Sequence, residues 1–240
     1  MKKAIAWSMA ACIIAGSYSP ALAADKNSKY YATEILAMQP QLTEDSLFED
    51  AKSLAKEQKV KTADILEKMY LELSNDAKKA AEESSGFQAL GNEGGSIIIG
   101  SSTKGHIYYT PSATAYLDHG HVGMYYTSST IVESVPGDGV RTISASSRKV
   151  DSKAVIKSVK TTTANRDAAA NWARSEVGES YSYNFATNRS TSHYGAKNCS
   201  KLLWSAYKLK SGLDLDVDGG LGVYPRDVRD SKDTTLVKTF

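Results

Sequence analysis

Cysteine is nearly absent from this chain: among 240 residues it occurs only as Cys12 and Cys199, which excludes a disulfide framework. Five prolines and 17 glycines are too few for a collagenous or low-complexity chain. An excess of one charge is also missing. The 29 Lys and Arg stand against 27 Asp and Glu, and setting aside Lys2 and Lys3 the two signs balance. That argues against an electrostatic nucleic-acid binder, which needs a basic face. Long hydrophobic runs are lacking too: the stretch from Ala4 to Gly16 is thirteen residues, short of the roughly 20 that span a bilayer. What remains is an ordinary globular mix, 41% hydrophobic and 23% charged, so wholesale disorder is excluded.

The first residues read as an export signal. Met1-Lys2-Lys3 is a basic start, the apolar run follows, and Ala21-Leu22-Ala23 is a small-x-small cleavage pattern. Residues 1–23 are therefore expected to be removed. The mature protein is expected to be secreted (extracellular, in the cell wall or in the periplasm) with no stable membrane insertion. Cys12 lies inside the apolar run, which continues through Ile13 and Ile14. Cleavage would leave Cys199 as a single thiol, which is intermolecular, incidental or a nucleophile. Exported proteins tend to avoid cysteine, which favours the nucleophile.

Residues 24–90 form a helical region rich in Ala, Leu, Glu and Lys. Ser46-Leu47-Phe48-Glu49 matches a capping box, and Ile65, Leu66, Met69, Tyr70 and Leu73 recur at helical spacing. Composition shifts at Ser84-Ser85-Gly86 and Gly91-Asn92-Glu93-Gly94-Gly95, a linker pattern. Residues 91–240 turn strand-like, with strands expected at 96–100, 106–110, 122–127, 130–135, 140–144 and 154–159, and a tight turn at Pro136-Gly137-Asp138-Gly139. A helix follows over 165–177 with Ala169, Trp172, Ala173 and Val177 on one side, and a last helix covers 199–210. The expected fold class is α+β, an antiparallel sheet packed against helices.

Asn198 is a favoured N-cap, which puts Cys199 in the first turn of that helix. The positive helix end there stabilises a thiolate, and its free amides suit the oxyanion of an attacked carbonyl. Leu202, Leu203 and Ala206 would bury the helix on the sheet, and the polar first turn argues against a merely structural cysteine. A thiolate needs a base, and the chain has four histidines. His121 begins an apolar strand from which its ring could reach Cys199. His119 would share its face if the stretch is extended; His106 starts another strand and His193 precedes Cys199. Alternating His119 and His121 also allow a metal, with a third ligand from Asp118, Glu133 or His193, but no spacing fixes one. The thiol reading outweighs it, and no metal or cofactor is expected.

Gly105-His106-Ile107-Tyr108-Tyr109-Thr110, His119-Gly120-His121-Val122-Gly123-Met124-Tyr125, Ile131-Val132-Glu133 and Asn198-Cys199-Ser200-Lys201-Leu202 together resemble a circularly permuted NlpC-type cysteine hydrolase. The branch is YiiX- and YycO-like, related to lecithin retinol acyltransferases, within the papain-like superfamily. The resemblance covers about residues 96–228, and the order His before Cys is what the permutation requires. It implies Cys199 as nucleophile, His121 as general base and acid, and Glu133, twelve residues on across Ser128-Ser129, as the orienting residue. Gly178-Glu179-Ser180-Tyr181 resembles the family's Gly-x-x-Tyr element, which implies Tyr181 beside the reaction centre, in an oxyanion or substrate-binding role. Tyr224-Pro225-Arg226-Asp227 resembles a terminal structural segment. The family usually has Gly-Asp-Ile where this chain has Gly105-His106-Ile107, a departure at the entrance of that strand.

Asp214-Leu215-Asp216-Val217-Asp218-Gly219 copies the opening of a calcium loop, but Pro225 stands where the bidentate Glu belongs, so a solvated acidic turn is expected. The fourteen tyrosines fit half-buried strands more simply than a glycan- or peptide-binding groove. The expectation is a secreted thiol hydrolase cleaving an amide, with peptidoglycan or another envelope polymer as its partner. A lipid acyl hydrolase or transferase, or a non-catalytic envelope-binding module, are the rivals.

Overall fold

The computed structural model of the chain describes residues 26–84, 95–111 and 119–240. The expected signal peptide, residues 85–94 of the linker, and Asp118 lie outside these residues. The N-terminal region folds as α1 (Lys26–Met38), α2 (Glu44–Gln58) and α3 (Thr62–Ser84). α2 starts before the expected capping box. Thr43 is extended (φ −94, ψ 152), and its hydroxyl accepts the Ser46 N–H at 3.2 Å. Glu44 and Asp45 then sit in the first turn, where the helix's positive end favours them, and Ser46 and Glu49 lie inside the helix.

Ile65, Leu66, Met69 and Leu73 are fully buried along α3, with Tyr70 at their margin. They close a core with Ile35, Leu47 and Ala51, and with Phe185, Leu221 and Tyr224 from the C-terminal half. Polar contacts follow the same junction. Asp76 pairs with Arg226 at 3.2 Å, Glu83 with Arg229 at 2.6 Å, and the Glu72 carboxylate accepts the backbone N–H of Leu221 at 2.9 Å. The helices therefore share a core with the rest of the described chain.

The remainder is α+β, as expected. Strands β1 (Ile97–Ile98), β2 (Ile107–Thr110), β3 (His121–Tyr125), β4 (Thr130–Val135), β5 (Gly139–Ser144), β6 (Lys149–Val150) and β7 (Val155–Val159) come first, followed by α4 (Thr163–Ser175), α5 (Cys199–Ser211) and α6 (Pro225–Asp230), and β8 (Thr234–Thr239) closes the chain. Six strands form one antiparallel sheet in the order β5-β4-β3-β2-β7-β8, and β1 pairs with β6. Side chains alternate across the strands. Val122, Met124 and Val132 pack against Ala169, Ala173, Leu202 and Leu203 of α4 and α5. Tyr108, Tyr125 and Ile131 pack on the other face with Ile99 and Val150.

β6, β8 and α6 are additions to the expected elements. β6 is two residues long, and the six-residue α6 is too short to show a helical period. β8 is an edge strand exposed beyond its first residue, so no apolar alternation marks it. Val177 is a correction: α4 ends at Ser175 and Gly178 turns at φ +103, leaving Val177 exposed outside the buried stripe. The acidic turn is another. Arg189 closes it, pairing with Asp214 at 2.7 Å and Asp216 at 2.5 Å, while Trp204 Nε1 donates to Asp214 at 2.8 Å. Asp214 and Asp216 are engaged by protein cations, whereas Asp218 is exposed as expected. Among the described residues no helix is long and apolar enough to cross a membrane.

Candidate active site

Cys199 opens α5 as the sequence suggests. Asn198 is extended (φ −81, ψ 179) and its Oδ1 accepts the Lys201 N–H at 2.9 Å. The first turn is nevertheless buried rather than a polar surface: Cys199 is 2% and Lys201 1% exposed. Its polar atoms find partners inside. Ser200 Oγ donates to the Val223 carbonyl at 2.7 Å, and Lys201 Nζ donates to the Thr191 carbonyl at 3.0 Å while lying over the Trp204 ring. Burial, with Lys197 and Arg189 nearby, lowers Lys201 to about 8.

His121 is the first residue of β3. By alternation it lies on the face of Tyr125, opposite the face that α5 covers. It therefore meets Cys199 at the strand's end rather than across the sheet. Ser134 Oγ donates to the Lys197 carbonyl at 2.6 Å, drawing the start of α5 against β4. His121 Nε2 lies 3.0 Å from Glu133 Oε2, and the ring is also hydrogen-bonded to the Cys199 thiol, for which Nδ1 is the remaining ring nitrogen. Cys199, His121 and Glu133 thus converge at a seam, the thiol from the helical layer and the other two from the opposite face of the sheet.

Glu133 is fully buried, not an exposed strand charge. Its Oε1 accepts Arg141 Nε at 3.1 Å and Nη2 at 3.0 Å; its Oε2 accepts the Tyr108 hydroxyl at 2.5 Å and pairs with Arg148 Nε at 3.2 Å. Burial alone would raise its pKa, but the hydrogen bond and charge of His121, with Arg148 and Tyr108, hold it well below the usual carboxylate range. Burial likewise disfavours the His121 imidazolium. The charge of Cys199 and hydrogen bonds to Cys199 and Glu133 outweigh that, and His121 is raised despite Arg148. A carboxylate held by two guanidinium groups and a phenol cannot swing away from the ring.

Arg141, Arg148 and Tyr108 were not among the residues the sequence singled out. One was within reach: the 136–139 turn implies a hairpin in which Glu133 faces Arg141, and the two are register partners. Tyr108 is placed by Gly123, its cross-strand partner, where an added Cβ would come within 2.4 Å of the Tyr108 ring. Arg148 precedes a two-residue strand and left no comparable signal.

The backbone leading to Tyr181 is tied to β5 and to the segment that enters α5. Gly178 and Glu179 bond to Val140 of β5, and the Lys197 N–H donates to the Ser180 carbonyl at 3.1 Å. The Tyr181 ring is half-buried and meets Tyr183 edge-on at 4.9 Å. The other histidines serve elsewhere. His106 Nδ1 pairs with Ser102 Oγ at 2.8 Å and His193 Nδ1 with Ser205 Oγ at 2.9 Å. His119 does not share the face of His121, because Gly120 turns the chain at φ +74. It meets Asp76 of α3 at 2.6 Å and Gln39 at 2.8 Å. The two rings serve different partners rather than a shared ion, and the described residues hold no cluster of three His, Cys, Asp or Glu suited to a metal.

Comparison with known proteins agrees with the residue pattern. Residues 94–234 match the family described as permuted papain-like amidase enzyme, YaeF/YiiX, C92 family. A relative from Bacillus subtilis (strain 168), described as uncharacterized protein YycO, is 44% identical over 243 residues, covering 100% of this chain and 99% of the relative. A solved structure described as metalloprotein yiiX from Escherichia coli O157:H7 is 16% identical, with a TM-score of 0.46, over 58% of this chain and 98% of that one. The chain belongs to the family of permuted papain-like amidases and is a cysteine hydrolase of the amidase type.

Proposed function

We propose that this protein is an exported thiol hydrolase that cleaves amide bonds in peptidoglycan peptides through Cys199, His121 and Glu133. The observation that carries the reading is His121, bonded on one side to the carboxylate of Glu133 and on the other to a thiol at a helix N-terminus. The Cys199 thiol gives its proton to His121 and attacks the carbonyl carbon, forming the C–S bond. The oxyanion develops beside the amides of the first turn of α5, with Tyr181 as a further donor. His121 passes its proton to the amine as the C–N bond breaks, leaving an acyl-enzyme. It then takes a proton from water, which adds to the acyl carbon and releases Cys199. Glu133 fixes the ring and stabilises the imidazolium.

Export rests on the pattern from Met1 to Ala23 and on the rarity of cysteine. The test is incubation of the purified protein with cell walls and, separately, with lipid extracts, the products read by mass spectrometry. New peptide termini that vanish in Cys199→Ala support the proposal. Release of fatty acids instead would make it a lipid acyl hydrolase, and no product from either would leave a binding module.

A further inference from the structure

A groove lies where the turn between α1 and α2 meets the segment leading into α5. Met38, Gln39, Pro40 and Gln41 form one wall; His119, Tyr183 and Phe185 form the other. The Tyr183–Phe185 wall is tied to the residues that precede the thiol. The Ser180 carbonyl accepts the Lys197 N–H at 3.1 Å, and the Asn184 carbonyl accepts Asn198 Nδ2–H at 3.1 Å. The segment from Tyr181 to Tyr183 therefore arches over the two residues that precede Cys199, and His119 stands two residues before His121. The lining is mostly carbon, and the enclosed part is narrow.

One polar atom there is unspent. Gln39 Nε2 donates to the Met38 carbonyl at 3.3 Å and lies 2.8 Å from Nε2 of His119, whose Nδ1 is 2.6 Å from Asp76 Oδ2. That fixes the amide's orientation, and Gln39 Oε1, on a residue 6% exposed, has no hydrogen-bond partner. A buried carbonyl without a donor is unusual, and an N–H arriving with a ligand would satisfy it.

We infer that this groove is a substrate subsite for one residue flanking the scissile amide, a small apolar residue whose N–H donates to Gln39 Oε1. The inference rests on the proposed thiol chemistry. Residues 38–41 lie outside the 94–234 span of the family match, so the N-terminal helices would supply a selectivity that the family domain alone does not carry. The assay is a set of fluorescence-quenched tetrapeptides with Ala, Leu or Phe at each position beside the scissile bond, plus an N-methylated Ala version. 4-Nitrophenyl acetate, too small to need the groove, reports the thiol chemistry alone.

The wild type is expected to prefer Ala over Phe at one position by tenfold or more in kcat/KM, and to lose about tenfold on N-methylation. Gln39→Leu should remove the N-methyl penalty. Gln41→Trp, at an exposed position that leaves folding intact, should steepen the loss for Leu and Phe. Ester turnover combined with unchanged preferences in both variants, or with no tetrapeptide cleavage, overturns the subsite and leaves the thiol chemistry standing. Loss of ester and peptide turnover in the wild type overturns both.

Discussion

His121 and His119 are close in sequence, and both are buried against a carboxylate that is itself held by arginine. Glu133 at 3.0 Å from His121 is braced by Arg141 and Arg148; Asp76 at 2.6 Å from His119 pairs with Arg226. What differs is the other ring nitrogen. His121 turns it to a sulfur, whereas His119 turns it to the amide of Gln39 and stacks on Phe185 at 4.8 Å. A histidine–carboxylate pair is thus a common means of fixing a ring, and only what the second nitrogen meets distinguishes a proton carrier from a clamp between helices and sheet.

Exchanging each histidine in turn is the sharpest way to break the comparison. His121→Asn is expected to lower kcat by roughly a thousandfold or more, since the proposed acid–base group is lost. His119→Asn should keep kcat within about tenfold, with most of its effect seen as a lower Tm. Equal losses of kcat in the two variants would erase the distinction.

Glu133→Gln comes next, with an expected fall in kcat/KM of ten- to a thousandfold. The arginines add a second effect: with the carboxylate gone, buried Arg148 loses the Glu133 charge while Arg141 keeps Asp138, and stability should fall by about 3 kcal/mol. The sign of the pH effect follows from His121. Its raised pKa keeps the imidazolium present above the ordinary range, and activity should fall as pH rises through that value. Removing the Glu133 charge lowers it, so the alkaline limb of the kcat/KM profile should move to lower pH. An unmoved limb would leave Cys199 and His121 as a dyad.

The smallest effect is expected on the His119 side. Burial pushes Asp227 of α6 up to about 7, so the folded state favours its protonated form. Its contribution to stability is full below the ordinary carboxylate pKa near 4 and is lost as pH rises through about 7. Asp227→Asn should therefore match the wild type in Tm at acid pH and exceed it by a few degrees at pH 8, as scanning calorimetry would read.

The sheet, α4 and α5 were legible because their side chains follow periods of two and 3.6, and the Asn198 cap because cap chemistry is local. The glycine-rich stretch before residue 95 gave a plausible boundary. No composition could show that Phe185, Leu221 and Tyr224 complete the core of the helices before it, since such contacts arise only when distant segments meet. Cys199 and His121 stood out by rarity and position. The bracing of Glu133 was half visible in the hairpin register and half hidden in a short strand, and the turn at Gly120 broke the alternation on which the shared face of the histidines depended.

The seam between the two layers also sets when chemistry begins. Thiol and imidazole arrive from opposite sides of the sheet and are far apart along the chain, so neither a partly collapsed polypeptide nor either layer alone brings the sulfur to the ring. Competence is a late event of assembly, and the alkylation rate of Cys199 would serve as a clock for the docking of α5 rather than for the formation of any single element.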